Sequence, residues 1–179
     1  TIDSKNTSNG YTINLASGTT FNHGSGTVTM TYAGNTLIQL SGGTLAFNTF
    51  TYNASGRTLE LRSAMSCATD LTITAGTIDT KSGSNYALTV TGDASVTGTL
   101  TGNASAITLD SLTIASGGTY SATSGTTTLT GKNGGGYSIQ VTGTFTHNKG
   151  KVKIDFNTGN TNDGTSAIWD EMYDYEVDM

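Results

Sequence analysis

The sequence predicts an all-β protein, specifically a parallel β-helix (β-solenoid). Three observations support this prediction. Thr, Ser, Gly and Asn fill 93 of the 179 positions, and Pro is absent. Short runs alternate between apolar and hydroxyl residues, which is typical of β-strands. Similar runs return at long intervals, which favours stacked turns of about 20–22 residues.

The strands are predicted by alternation of side chains across the two sides of an extended chain. In the run 71–74, Leu71 and Ile73 share one side and Thr72 and Thr74 the other. Each such run ends at Gly, Asn or Ser, which supply tight corners. The same pattern returns with inward residues at Val28 and Met30, Leu88 and Val90, Ile107 and Leu109, Leu112 and Ile114, Ile139 and Val141, and Val152 and Ile154.

Internal repeats favour stacked turns over other arrangements of short strands. LTITAGT at 71–77 returns as LTIASGGT at 112–119, and VTGTL at 96–100 returns as VTGTF at 141–145. Both offsets suit two turns of a solenoid with three short faces. A third similarity aligns TTFNHGSGTVTM, from position 19, with GTFTHNKGKVKI, from position 143, and places Val152 over Val28.

The alternative is an antiparallel β-sandwich or jelly roll. Two or three inward apolar residues per run are too few to cover a broad sheet-on-sheet core. They suffice for a narrow column in which each turn covers the next. The lack of Pro agrees with strands whose N–H groups all bond to a neighbouring turn.

The chain divides into three predicted parts: a cap or linker at 1–17, the repeat domain at 18–158, and an acidic aromatic segment at 159–179. Residues 170–179 hold five acids and no base. We expect the last part to dock on a protein neighbour, because aromatic side chains often anchor interfaces. A frayed acidic tail is the alternative. The predicted docking residues are Trp169, Asp170, Glu171, Tyr173 and Tyr175.

Charge and cysteine content exclude several classes of partner and site. Only 12% of residues are charged, and outside 170–179 eight acids balance eight bases, so we expect no nucleic-acid or membrane partner. Cys67 is the single cysteine and cannot form an internal disulfide. His23 and His147 lie far apart along the chain, so the sequence predicts neither a metal site within one chain nor a cofactor.

No catalytic residue is predicted. Asp70, Asp79, Asp93 and Asp110 are isolated at strand starts or corners, where Asp usually accepts a hydrogen bond from a backbone N–H. Glycoside cleavage would need two convergent carboxylates, and only Asp93, one turn from Asp70 and Asp110, has such neighbours. Glu60 is expected to form a surface ion pair. The protein is therefore expected not to be an enzyme.

The segment GTFTHNKGKVKID and its partners LTITAGTIDT, YALTVTG and SLTIASGGTYSATSGTTTLTG resemble repeats of β-solenoid proteins from tailed-bacteriophage fibres and bacterial surface adhesins. The resemblance covers roughly residues 18–158. It implies a right-handed parallel β-helix, a homotrimer, and a non-enzymatic structural role on the virion surface as fibre, appendage or capsid decoration. Other virion or surface proteins would bind the C-terminal segment, and host glycans are a further expected partner.

Two other functions stay open. A bacterial adhesin or carbohydrate-binding module, on the cell surface or secreted, would stack sugars on Tyr32, Tyr52, Tyr86, Tyr120 or Tyr137. Ice binding ranks last, because its Thr-x-Thr pairs recur at uneven intervals along the chain. Those pairs are Thr27 with Thr29, Thr72 with Thr74, Thr89 with Thr91, Thr97 with Thr99, Thr126 with Thr128, and Thr142 with Thr144.

Overall fold

The computed structural model describes residues 11–14, 19, 21–31, 38–41 and 45–155. Every strand pairing within these ranges is parallel, and the strands form one continuous wound sheet. The strands are β1 Tyr11–Asn14, β2 Thr27–Met30, β3 Ile38–Ser41, β4 Leu45–Phe47, β5 Thr49–Arg62, β6 Met65–Cys67, β7 Leu71–Asp79, β8 Leu88–Val96, β9 Thr99–Thr101, β10 Ile107–Ile114, β11 Thr119–Ser121, β12 Thr126–Leu129, β13 Ile139–Val141, β14 Thr144–Thr146 and β15 Lys151–Ile154.

The pairings sort the strands into three faces, because long strands bend at a corner and continue on the next face. Face A consists of β4, β6, the first parts of β8 and β10, β12 and β15. Face B consists of β2, the first parts of β5 and β7, the later parts of β8 and β10, and β13. Face C consists of β1, β3, the later parts of β5 and β7, β9, β11 and β14.

The predicted parallel β-solenoid is confirmed, and the sandwich alternative is wrong. The described residues form about five turns. With one exception, side-chain hydrogen bonds between neighbouring turns of the described chain join residues 18 to 24 positions apart, which brackets the predicted spacing. The exception, from the Thr142 hydroxyl to the carbonyl of Ile114, spans 28 positions because the long connection 130–138 lies between β12 and β13.

A single apolar column fills the space between the three faces. As the alternation at 71–74 predicts, Leu71 and Ile73 face this column and are fully buried. The inward residues predicted at 88, 90, 107, 109, 112 and 114 are also buried. Val141 and Val152 differ, being 46% and 39% exposed, because no described residue covers the last turn. Burial of each turn thus depends on the turn stacked upon it.

The first similarity between repeats is confirmed and the third is not. Residues 71–73 and 112–114 both lie on face B, two turns apart. By contrast, Val28 lies on face B and Val152 on face A, so the alignment that placed one over the other is wrong. In both segments a corner that contains Gly precedes a strand with Val near its centre. This local similarity does not determine the face on which the strand lies.

Glycine is required at the corner between faces B and C. A Cβ atom added to Gly118 would lie 2.1 Å from the backbone oxygen of Val96, and one added to Gly98 would lie 2.5 Å from the oxygen of Gly76. At Gly143 the nearest backbone oxygen, that of Ala115, would lie 2.3 Å away. The backbones of successive turns therefore approach too closely at this corner for any side chain.

Two buried tyrosines provide a matched test of hydrogen bonding in the column. The Tyr120 hydroxyl lies 2.6 Å from the buried Thr127 hydroxyl, whereas the buried Tyr52 hydroxyl has no partner within reach among the described residues. We expect Tyr120→Phe to lower the free energy of unfolding by about 1–3 kcal/mol, because Thr127 loses its partner. Tyr52→Phe should be neutral or stabilising. Urea unfolding of both variants checks this, and equal losses would contradict it.

Alkaline pH should destabilise the fold. Burial raises the pKa of Cys67 from 9.0 to about 12, with the Asp70 charge adding to the effect. Burial also raises the pKa of Tyr52 from 10.0 to about 12, against an opposing effect of Arg57. Because both folded-state pKa values are raised, the associated stability is complete below pH 9 and is lost as pH rises toward about 12. We expect a double variant, Cys67→Ala with Tyr52→Phe, to lose less stability than wild type between pH 8.5 and 11 in urea titrations. Equal losses of stability in wild type and in the double variant would contradict the assignment of the alkaline destabilisation to these two groups.

Candidate functional site

The outward surface of face C carries two hydroxyl ladders. Thr99, Thr119 and Thr144 pair in register across three turns, and Thr101, Ser121 and Thr146 form the second row. Neighbouring strands lie about 4.8 Å apart, and successive outward residues along one strand lie about 6.7 Å apart. The result is a regular array of small hydroxyl groups, partly or fully exposed to solvent.

The Thr-x-Thr pairs expected from sequence do not form this array. The pairs at 27 and 72 lie on face B, and those at 89 and 126 lie on face A. The pairs at 97 and 142 straddle the corner that leads into face C. The signal that identifies the true array is recurrence after one turn, from Thr99 to Thr119 to Thr144, rather than even spacing of the motif.

Three carboxylates occupy the corner between faces A and B. The backbone N–H of Asp93 donates to Asp70 Oδ1 at 3.0 Å, and the Ser111 hydroxyl donates to Asp93 Oδ1 at 2.5 Å. Burial raises the pKa of Asp110, the Asp93 charge adds to this, and a hydrogen bond from Thr130 opposes it. Asp70 thus accepts from a backbone N–H, as the sequence predicts, but the donor lies in the next turn and not in its own corner, and Asp93 likewise accepts from a hydroxyl of the next turn.

The remaining predicted carboxylates also hold the solenoid together. Asp79 Oδ1 accepts from the Lys81 backbone N–H and from the Asn103 amide, both at 2.7 Å, so it caps its corner as predicted. Glu60 forms the expected ion pair with Arg62, at 2.6 Å, and a second one with Lys81 of the next turn, at 2.8 Å. Such partly exposed pairs contribute about 0–1 kcal/mol each.

Tyr137 is one of the tyrosines predicted to stack on a sugar ring, and its side chain is available for this. Its side chain is 55% exposed, whereas Tyr52 and Tyr120 are fully buried and Tyr86 packs against the core. The surrounding loop is ordered by Asn133, whose Oδ1 accepts from the backbone N–H groups of Gly135 and Tyr137, each at 3.0 Å. The Asn133 amide in turn donates to Thr113 and Gln140, which ties the loop to face B.

Several predicted residues lie outside the described ranges. These are Tyr32 and the docking residues Trp169, Asp170, Glu171, Tyr173 and Tyr175. Within the described ranges no three His, Cys, Asp or Glu side chains lie close enough together to hold a metal ion. The same part of the chain contains no helix of the length and hydrophobicity needed to cross a membrane.

Comparison of the chain with protein-family models, with curated proteins and with solved structures found no match.

Proposed function

We propose that this chain is a non-enzymatic structural protein of a phage virion surface, acting as part of a fibre, an appendage or a capsid decoration. The observation that supports this proposal most directly is the column of parallel turns with a hydroxyl-rich exterior in the described part of the chain. A solenoid of this kind resists bending, because every turn is hydrogen-bonded to its neighbours along three faces. The contacts of Asp70, Asp79 and Asp93 within the corners favour a structural role over catalysis.

The location is tested by following the protein through purification of phage particles. We expect the chain to sediment with intact virions in a density gradient and to be labelled on their exterior by a specific antibody. Recovery in the envelope fraction of uninfected bacteria would overturn the virion assignment in favour of a bacterial adhesin.

The non-enzymatic role and self-association need separate measurements. Wild type and Asp93→Asn are incubated with host polysaccharides, and we expect neither to release sugar fragments. Cleavage by wild type that Asp93→Asn abolishes would overturn the structural proposal.

We also propose that the chain assembles as a homotrimer, for which sedimentation equilibrium should give three times the chain mass of 18.4 kDa.

The second candidate function is carbohydrate binding, and the exposed ring of Tyr137 favours it. The ring stands on a loop held by Asn133 and lies close in sequence to the amide of Gln140, so stacking and hydrogen bonding could act on one sugar. Glycan-array binding lost in Tyr137→Ala and kept in Tyr137→Phe would support this role. Equal binding by both variants would place any glycan site elsewhere.

Ice binding remains a third candidate, because the in-register hydroxyl ladders on face C form a more regular array than the sequence intervals predict. Thermal hysteresis of the purified chain is the direct measurement. A clear effect would place this function above the structural one.

A further inference from the structure

The side chain of Asn133 is hydrogen-bonded through both of its polar atoms within the connection 130–138. Its Oδ1 accepts from the backbone N–H groups of Gly135 and Tyr137, each at 3.0 Å. Its Nδ2 donates to the Thr113 hydroxyl and to Gln140 Oε1, each at 3.1 Å. Because two N–H donors can only meet an oxygen, these contacts fix which way the amide points. The amide is therefore held in one orientation.

The two hydrogen bonds to Oδ1 form the arrangement that stabilises an oxyanion. When a nucleophile adds to a carbonyl carbon, negative charge develops on the oxygen, and N–H donors already within about 2.7–3.1 Å stabilise that charge. The Gly135 and Tyr137 N–H groups meet this condition on Asn133 before any reaction begins. The fold thus prepares this side-chain amide for nucleophilic attack.

The peptide nitrogen of Gly134 is positioned to act as the nucleophile. The bond from the Gly135 N–H to Asn133 Oδ1 closes a ring that contains the Gly134 nitrogen, so it folds the amide back toward that atom. No described group accepts a hydrogen bond from the Gly134 N–H. Gly134 is exposed and has no Cβ atom to obstruct the approach. Because both groups belong to one chain, their reaction has the rate advantage of an intramolecular step.

We propose that the Asn133–Gly134 pair is a site of spontaneous modification, in which the folded chain converts Asn133 to an aspartate or isoaspartate residue. The Gly134 nitrogen loses its proton to a solvent base and forms a bond to Asn133 Cγ, and the electrons of the C=O bond move to Oδ1. As the C=O bond re-forms, the bond from Cγ to Nδ2 breaks, and Nδ2 takes a proton from water and leaves as ammonia. A five-membered succinimide ring remains. Water then opens this ring at either carbonyl carbon, which gives aspartate or isoaspartate.

The modification releases the connection 130–138 from face B. A carboxylate has no N–H, so both products lose the donations to Thr113 and Gln140 that tie the connection to this face. The new negative charge is also repelled by Gln140 Oε1. Tyr137 then loses its fixed position. This inference goes beyond the proposed functions and holds whichever surface the protein occupies.

Ageing of the full-length chain tests the site. The folded protein is kept in mildly alkaline buffer, digested with pepsin at acid pH and sequenced by tandem mass spectrometry. We expect Asn133 to gain the mass that accompanies replacement of an amide by a carboxyl group, and a methyltransferase that recognises isoaspartate to label the same peptide. Asn148 is the internal control, because it is exposed but is followed by Lys149, whose side chain hinders attack. Equal conversion of both asparagines, or none at Asn133, would overturn the proposal.

The contribution of the fold is separated from that of the dipeptide by repeating the experiment in urea. Unfolding removes the two N–H donors on Oδ1 but keeps the Asn133–Gly134 sequence, so we expect conversion in the folded chain to be about ten-fold faster. Gly134→Ala, whose Cβ atom meets no heavy atom within 4 Å, should keep the fold and slow conversion several-fold. Equal or faster conversion in urea, or an unchanged rate in Gly134→Ala, would contradict the proposed mechanism.

The release of the connection is measured by proteolysis. We expect trypsin to cleave after Lys132 several-fold faster in Asn133→Asp than in wild type, because that variant carries the carboxylate of the product from the start. Asn148→Asp is the matched control and should leave this cleavage unchanged. Equal cleavage of wild type and Asn133→Asp would show that the amide does not tie the connection to face B, and the proposed release would be wrong.

Discussion

Replacing Leu100 by alanine is expected to lower the free energy of unfolding by about 2–5 kcal/mol. Leu100 is fully buried on β9, and its rung lies between those of Ile78 and Tyr120 on face C. Because this face buries little else in that turn, neighbouring side chains have few ways to refill the cavity. Urea unfolding followed by circular dichroism gives the change directly.

The control for this experiment is Thr101→Ala on the same strand. Thr101 faces outward and is only partly buried, so its loss removes no part of the column. A surface change of this kind usually stays within about 0.5 kcal/mol. Similar losses in both variants would show that the column is not the main source of cohesion.

We expect Gly118→Ala to lower the free energy of unfolding by an amount comparable to that of Leu100→Ala, for a different reason. The added methyl group would lie 2.1 Å from the Val96 backbone oxygen and 3.0 Å from that of Ala115. No side-chain rotation relieves a clash with backbone atoms, so successive turns must separate at the corner. We expect a loss of about 1–3 kcal/mol or more in the free energy of unfolding, measured as a lower urea midpoint.

Gly134→Ala is the matched control for the corner. A Cβ atom at Gly134 meets no heavy atom within 4 Å, and its φ lies outside the left-handed region. Substitution there reduces the conformational freedom of the unfolded chain and should be neutral or slightly stabilising. If Gly118→Ala also left the free energy of unfolding unchanged, the backbones of successive turns would not approach each other as closely at this corner as described.

The sequence predicts the strands well because alternation is a local property. Leu71, Ile73, Leu112 and Ile114 are buried as their spacing indicates, and the turn length follows from repeats two turns apart. Assignment to a face is not local, because it depends on the number of corner residues since the previous strand. That number varies, and the long connection 130–138 is one example.

The surfaces were less predictable than the core, and for the same reason. Thr99 and Thr119 become neighbours only through the pairing of β9 with β11, so counting Thr-x-Thr motifs along the chain does not find their ladder. Among the described tyrosines, the sequence likewise does not separate exposed Tyr137 from buried Tyr120, since both follow a Gly-rich stretch. Burial there is set by what the next turn places above the ring.

The repetition of the same three faces in every turn has a consequence for how such a molecule can vary in length. A complete turn can be added or removed without changing the parallel pairing on any face, because the turns above and below present strands at the same three faces. Each such change alters the long axis by one step of about 4.8 Å. Insertions of a few residues are confined to the connections between strands, as at 130–138, where they enlarge one flank without shifting the register of the stack.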